Sequence, residues 1–137
     1  MIKALAHVCI YSRDLERTRK FYCDGLGLSI KFKFIRQGEL FGFYLRISDS
    51  QFIEVFLREE ASQGVPQIGH ICLETDDLEG MRKKLTAAGI ETTDPKLGSD
   101  QSWQMWMHDP DGTAIEFHQY TPQSTQYTGE DCLVTWC

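Results

Sequence analysis

Two histidines and two glutamates recur in this chain at nearly constant spacing. His7 and His70 are 63 residues apart, and Glu54 and Glu116 are 62 residues apart. Imidazole nitrogens and carboxylate oxygens together suit Zn²⁺, Ni²⁺, Co²⁺, Mn²⁺ or Fe²⁺. Two neutral imidazoles and two carboxylates carry a formal charge of −2, which one divalent cation balances. The four residues therefore predict one metal site.

The sequence around these residues is duplicated as well. Residues 7–20 and 70–83 are identical at seven of fourteen positions, including the pairs Cys9/Cys72 and Asp14/Asp77. Such a repeat predicts two copies of one structural unit. In each copy an alternating β-rich run is followed by a helical pattern and then by short extended segments. We therefore predict an α+β fold made of two βαβββ modules.

The elements of each module follow from alternation, capping residues and glycines. Asp14 and Asp77 are expected to cap the two helices, which should end near Leu26 and at Gly89. Asp109-Pro110-Asp111-Gly112 predicts a turn between two strands. The predicted strands are 4–12, 28–37, 40–47, 51–57, a second-module strand around 70–74, 91–94, 102–108 and 113–119.

The two modules are expected to form one domain over residues 1–119. Module 1 covers about 1–57, a polar linker covers 58–68, and module 2 covers about 69–119. A linker this short favours a single integrated unit. The polar tail, residues 120–137, ends in an apolar cluster that we expect to dock on the body of the protein or on a partner subunit.

Strand alternation places all four candidate ligands on one side of their strands. Glu116 alternates with the apolar Ile115 and Phe117, and Glu54 alternates with Ile53 and Val55. The apolar residues should face the helices, so both carboxylates should face a shared interior. A carboxylate in such an interior is costly unless it is paired or binds a cation. Parity thus supports the metal site.

The same parity nominates residues that contact a substrate. Gln104, Trp106 and His108 alternate with Met105 and Met107, which should face the helices. A cavity of this composition suits a polar, hydroxyl-rich or sugar-like ligand. Two alternatives stay open: the aromatic residues could be core, and the charged ones could lie in solvent at strand ends. The full set of candidate substrate-binding residues is Tyr11, Tyr44, Arg46, Gln104, Trp106 and His108.

Composition excludes several functional classes. The formal net charge is −6, so no basic surface is predicted for nucleic acid. No apolar run is long enough for a membrane span, and no signal peptide is recognisable, so we expect a cytoplasmic protein. The five cysteines form no C-x-x-C pair and are expected to be free thiols. Cys9 and Cys72, two residues after the repeated histidines, are expected to be packing residues.

The ordered set of motifs over residues 1–119 resembles the vicinal oxygen chelate superfamily, the glyoxalase, bleomycin-resistance and dioxygenase group. The resemblance implies that the paired βαβββ modules curve into a barrel-like, metal-bearing cup, often completed in a homodimer. The carrying segments are Ala6-His7-Val8-Cys9-Ile10, Gly25-Leu26-Gly27-Leu28, Phe52-Ile53-Glu54, Gly69-His70-Ile71-Cys72 and Asp109-Pro110-Asp111-Gly112-Thr113-Ala114-Ile115-Glu116.

Within that superfamily, His7, Glu54, His70 and Glu116 match the ligand pattern of glyoxalase I, the lactoylglutathione lyase. The resemblance implies a lyase or isomerase that moves a proton through a metal-bound enediolate, with Glu54 and Glu116 as ligands that also act as bases. One divalent metal per site is expected, with a small-molecule substrate and glutathione as a possible co-substrate. Tyr11 replaces the basic residue that grips glutathione in glyoxalase I, and Arg58 replaces an amide.

Three alternatives follow from these departures and from the ligand pattern. The first is an isomerase or epimerase that acts on another polar, sugar-like substrate. The second is a non-haem iron dioxygenase, in which Glu54 would not be a ligand and the metal would keep open positions for O₂. The third is a non-catalytic binding protein of the resistance type, which the four intact ligands disfavour.

Overall fold

The computed structural model describes residues 1–25, 27–60, 68–108 and 113–136. The first half contains β1 (Ile2–Ser12), α1 (Leu15–Arg19), a π-helical segment (Lys20–Gly25), β2 (Ser29–Arg36), β3 (Glu39–Arg46) and β4 (Phe52–Leu57). The second half contains β5 (Ile68–Thr75), α2 (Leu78–Ala87), β6 (Lys96–Leu97), β7 (Trp103–His108) and β8 (Ala114–Gln119). The tail adds α3 (Thr125–Thr128) and β9 (Cys132–Leu133).

All the strands in the described part of the chain belong to one mixed sheet, in the order β6-β7-β8-β5-β1-β4-β3-β2-β9. At its centre β1 and β5 run antiparallel, while β1 pairs with β4 and β5 pairs with β8 in parallel. The repeat therefore appears as a pseudo-two-fold axis between β1 and β5. The curved α+β fold is confirmed, and the strands that carry His7, Glu54, His70 and Glu116 are the four central neighbours.

Helices α1 and α2 cover one face of this sheet. Leu15 of α1 packs in a buried cluster with Phe43 and Val55. Met81 of α2 packs in an equivalent cluster with Met105. Each fully buried side chain of this size contributes about 1.5–3 kcal/mol through removal of apolar surface from water. Met105 and Met107 of β7 both pack with this second cluster, so their expected orientation toward the helix is confirmed.

Both helices begin at the predicted aspartate caps. Asp14 Oδ1 accepts a hydrogen bond from the backbone N–H of Arg17 at 3.0 Å. Asp77 Oδ1 accepts one from the N–H of Gly80 at 2.9 Å. Each cap satisfies an amide that the first helical turn leaves without a partner. The duplicated aspartates thus set the same helix start in both modules.

Two local predictions differ from the structure. The first helix is α-helical only to Arg19 and continues as the π-helical segment, whose wider turns pack Tyr22 and Cys23 against the α1 cluster. Leu26, its expected end, lies outside the described residues. The expected strand 91–94 is absent from the described chain. Pro95 has no N–H to donate there, and Thr93 instead bonds Trp106 through its backbone N–H and its hydroxyl.

Two predicted connections lie largely outside the residues that the structure describes. The turn at 109–112 and most of the linker, residues 61–67, belong to the part of the chain that is not described. In the described part of the chain, no helix has the length and apolar character that a membrane crossing requires.

The tail docks on the body of its own chain. At one end, Ser124 Oγ lies 2.8 Å from Ser102 Oγ, and the N–H of Thr125 donates to the carbonyl of Asp100 at 2.9 Å. At the other end, β9 pairs in parallel with β2, and the N–H of Val134 donates to the carbonyl of Ile35 at 2.8 Å. The tail therefore spans from the loop between β6 and β7 to the β2 edge of the sheet.

Candidate metal centre

The four repeated side chains converge on one point and form the cluster of the following paragraphs: His7, Glu54, His70 and Glu116. Nε2 of His7 and Nε2 of His70 lie 2.9 Å apart. Glu54 Oε1 is 3.5 Å from Nε2 of His7 and 3.4 Å from Nε2 of His70. Glu116 Oε2 is 3.3 Å and 3.1 Å from the same two nitrogens. All four residues are buried, and all come from a single chain.

The register of the central strands explains this convergence. In the β1–β5 pair, His7 lies opposite Cys72 and Cys9 lies opposite His70. In the parallel pairs, Cys9 lies beside Glu54, and Cys72 lies beside Glu116. Each cysteine thus sits between a histidine of the other module and a glutamate of its own. A small side chain at this position leaves room for the four ligands above the sheet.

The Cys9 thiol stays protonated at neutral pH. Burial raises its pKa, and the nearby carboxylate of Glu54 raises it further. The thiolate is the form of cysteine that binds metals. Cys9 groups with Glu54 and His70 as a potential ligand set, and a bound cation would favour its thiolate. The packing role of Cys9 therefore stays a prediction.

His7 is oriented by a second side chain. Its Nδ1 lies 2.6 Å from the hydroxyl of Tyr44, which is completely buried. A histidine that binds a metal through Nε2 carries its proton on Nδ1 and donates it to such a partner. This contact fixes the plane of the ring and offers an acceptor for a proton on Nδ1.

Glu116 is held in a similar way by His118. Nε2 of His118 lies 2.8 Å from Glu116 Oε1, while the other carboxylate oxygen faces the cluster. Burial alone would raise the pKa of Glu116. The imidazoles of His118, His7 and His70 outweigh burial and hold it well below its ordinary value. Glu116 is therefore an ionised carboxylate with one oxygen directed at the cluster.

The geometry fits one divalent cation. Donor atoms bound about 2.1 Å from one ion lie about 3.0–3.5 Å apart in octahedral or tetrahedral arrangements. Five of the six separations among these donor atoms, all except that between the two carboxylates, run from 2.9 to 3.5 Å. The buried pair of carboxylates also needs positive charge to offset its desolvation. The group could thus hold the divalent metal that the sequence predicted.

Three residues of the cluster, Glu54, His70 and Glu116, line a cavity of about 920 Å³. Three predicted substrate-binding residues line it: Tyr11, Gln104 and Trp106. The Trp106 ring lies 4.8 Å from the ring of His70, and its Nε1–H donates to Gln104 Oε1 at 3.3 Å. The Arg58 guanidinium stacks 4.6 Å from the centre of the Tyr11 ring at the mouth.

The other three predicted substrate-binding residues lie elsewhere. Tyr44 is buried behind His7, because the ring fills the core between β3 and the metal centre. Arg46, the last residue of β3, turns outward and pairs with Asp49. His108, the last residue of β7, is exposed. Parity alone does not show how far along a strand the cavity extends, so a substrate-binding role for these three residues stays a prediction.

Several cavity residues were not in the predicted site. Strand parity predicts that His118 faces inward together with Glu116, but parity assigns it no role. The outer wall is aromatic, and the tail contributes to it, which the weak periodicity of the tail did not indicate. The residues that form this outer part of the cavity are Phe34, Arg36, Phe41, Phe56, Cys132 and Trp136.

Solved structures with the same fold include several epimerases. Methylmalonyl-CoA epimerase from Mycobacterium tuberculosis is 23% identical, with a TM-score of 0.73 over 89% of this chain and 91% of that chain. The Streptomyces coelicolor enzyme in complex with 2-nitronate-propionyl-CoA is 19% identical, with a TM-score of 0.73 over 88% and 96%. A hypothetical protein from Bacillus halodurans is 20% identical, with a TM-score of 0.68 over 84% and 92%.

A comparison with curated protein sequences gives no match. The family comparison gives one that covers most of the chain, from residue 4 to residue 117, and it contains all four residues of the cluster. The repeat, the sheet order and the buried His/Glu group agree with this assignment. The chain is a member of the Glyoxalase/Bleomycin resistance protein/Dioxygenase superfamily.

Proposed function

We propose that this protein is a metal-dependent isomerase of the epimerase type, which removes a proton from the carbon next to a carbonyl group and returns it. The observation that carries the proposal is the meeting of two carboxylates and two imidazoles, donated by symmetry-related strands, beside a cavity. A divalent cation held by these four residues would act as a Lewis acid on the carbonyl oxygen of the substrate.

The two glutamates have the placement that proton transfer needs. Glu54 and Glu116 are related by the pseudo-two-fold axis, so they flank the cation site from opposite strands. One carboxylate can take the proton and the other can return it from the opposite side, which inverts the carbon centre. Glu116 is held by its contact with His118, whose Nε2 lies 2.8 Å from Oε1.

Methylmalonyl-CoA is the first substrate to test, because the similar structures include enzymes that act on it. The metal-loaded protein is incubated with this thioester in D₂O, and deuterium at C2 is followed by NMR. We expect catalysed exchange that Glu54→Gln and Glu116→Gln abolish. Glu74→Gln is the matched control, since Glu74 is buried on β5 but bonds Lys3 outside the cluster. Exchange that survives in both cluster variants would contradict the proposal.

A glyoxalase I-type lyase is the second candidate, supported by the same set of four donors. It would use the methylglyoxal–glutathione hemithioacetal, assayed with Zn²⁺, Ni²⁺ and Mn²⁺ in parallel. Tyr11 lines the cavity where glyoxalase I has a basic residue for glutathione, and this disfavours the lyase. Turnover of the hemithioacetal without exchange on methylmalonyl-CoA would reverse the order of the two candidates.

Two other functional classes, a dioxygenase and a binding protein without metal, fit the site less well. A dioxygenase would need Glu54 as a non-ligand, and its placement 3.4–3.5 Å from both imidazoles argues against this. A binding protein without metal would leave two buried carboxylates without a cation.

The homodimer expected from the family resemblance is a prediction that analytical ultracentrifugation can check.

A further inference from the structure

The inward faces of β2 and of the neighbouring tail are apolar, and each ends in a residue that differs from those before it: an arginine on β2 and a tryptophan on the tail. On β2, Phe32 and Phe34 are buried, and the next residue of the same parity is Arg36, which lines the cavity. Beside β2, the tail alternates in the same way: Cys132 and Val134 are buried, and the next inward residue is Trp136. Both series are apolar near the cluster and end in a cation and an indole at the outer end of the cavity.

Arg36 is half-buried and has no carboxylate within ion-pair distance in the described part of the chain. Its guanidinium carbon lies 3.9 Å above the centre of the Phe41 ring. By contrast, Arg46 pairs with Asp49 and Arg58 with Glu60. Stacking holds the guanidinium in place and leaves its N–H donors free for an anion.

Trp136 provides a planar surface next to this cation. Its ring meets Phe41 and Phe56 in edge contacts, with centroids 5.5 Å and 5.4 Å away. Phe41 and Phe56 stack on each other at 5.1 Å. The indole is fixed by these contacts, yet 45% of Trp136 remains exposed. An exposed, fixed indole suits a flat or apolar group that lies across it.

We propose that Arg36 and Trp136 form an outer subsite that binds an anionic group, phosphate or carboxylate, at the far end of the substrate. The portion of the substrate next to that anion lies on Trp136. The substrate is thus an extended organic anion whose reacting carbonyl reaches the metal centre. This inference rests on the proposed function for the position of the reacting end. The C-terminal tail thereby becomes a determinant of specificity.

Three thioesters with the same acyl group test this subsite by binding alone. Propionyl-CoA carries phosphates, S-propionylglutathione carries carboxylates, and S-propionyl-N-acetylcysteamine carries no anion. Their affinities for the metal-loaded protein are measured by calorimetry. In Arg36→Gln, at least one anionic thioester should bind about tenfold more weakly, and the neutral one should bind as before. The thioester that is affected identifies phosphate or carboxylate as the preferred anion.

Matched variants separate the subsite from general effects. Arg19→Gln removes an arginine of α1 that pairs with Glu16 and Asp24 outside the cavity, and it should leave all affinities unchanged. Trp136→Leu should weaken the anionic thioesters, whereas Trp103→Leu, at a tryptophan 43% exposed outside the cavity lining, should not. Arg36→Lys keeps the charge and should recover part of the affinity.

Equal affinities in Arg36→Gln and Arg19→Gln would overturn the subsite, as would equal binding of all three thioesters by the wild-type protein. If binding of an anionic thioester depends on Arg36 but the protein catalyses no C2 proton exchange on methylmalonyl-CoA, the subsite is supported and the proposed isomerase is contradicted. The two proposals can therefore fail independently.

Discussion

At the scale of single residues, one histidine and one glutamate of the cluster are each held by a partner behind them. Tyr44 orients His7, and His118 orients Glu116. Sequence parity placed the four cluster residues on one face. It did not reveal which of the remaining polar residues support them, because a hydrogen bond between side chains depends on rotamers and on packing from other strands.

Replacing Glu116 with Gln should preserve the fold, because the two side chains have nearly the same shape. It should abolish turnover, because the substitution removes both the charge of a metal ligand and a base. The measurement combines circular dichroism with C2 proton exchange. Retained exchange together with retained metal would reject Glu116 as a functional residue.

Replacing His118 with Ala should weaken metal binding by about 10–100-fold, because Glu116 loses the hydrogen bond that directs its second oxygen into the cluster. Gln at this position can donate in the place of Nε2, so His118→Gln should recover much of the affinity. Metal affinity is measured by competition with a chelator. If the Gln variant binds as weakly as the Ala variant while both fold normally, a positioning role is wrong.

Metal binding should release a proton and tighten as pH rises. Burial disfavours the charged form of His7, but Tyr44 and Glu54 favour it by more, so its pKa lies well above the ordinary value. A cation must displace that proton, so affinity increases with pH until the pKa is passed. Calorimetry in two buffers of different ionisation enthalpy measures the release. Identical enthalpies and a flat pH dependence would contradict it.

At the scale of elements, the caps and the strand faces could be predicted, and the irregular segments could not. Asp14 and Asp77 indicated helix starts because capping is a local interaction. The π-helical segment and the short strand β6 depend on tertiary contacts that no local pattern records. β9 exists because the edge of β2 is free to pair with it. Its two residues carry too little periodicity to be recognised.

The duplicated caps allow a paired test of helix stability. Asp14→Ala and Asp77→Ala should each lower the free energy of unfolding by about 1 kcal/mol. Asp76→Ala, at an exposed neighbour that does not cap α2, should change it little. Urea denaturation measures all three. A cap variant that is as stable as the Asp76 variant would show that the cap does not stabilise its helix.

At the scale of the whole molecule, duplication turns two modules into one site. The cross-pairing of β1 and β5 places the histidine of one module opposite the cysteine of the other. The sequence repeat predicted two modules of one fold, but it left open whether their histidines and glutamates meet within one chain. The assignment of these four residues as metal donors stays a prediction. The substrate end of the cavity was not predictable, because it is assembled from the least symmetric parts of the chain, the end of β2 and the tail.

The metal site is tested by the metal content of the protein after reconstitution with a divalent cation and removal of the excess. We expect one cation per chain in the wild-type protein and in Glu74→Gln, and none retained when His7 and His70 are both replaced with Ala. A wild-type protein that retains no stoichiometric cation, or a double variant that retains it fully, would show that these residues do not form a metal site.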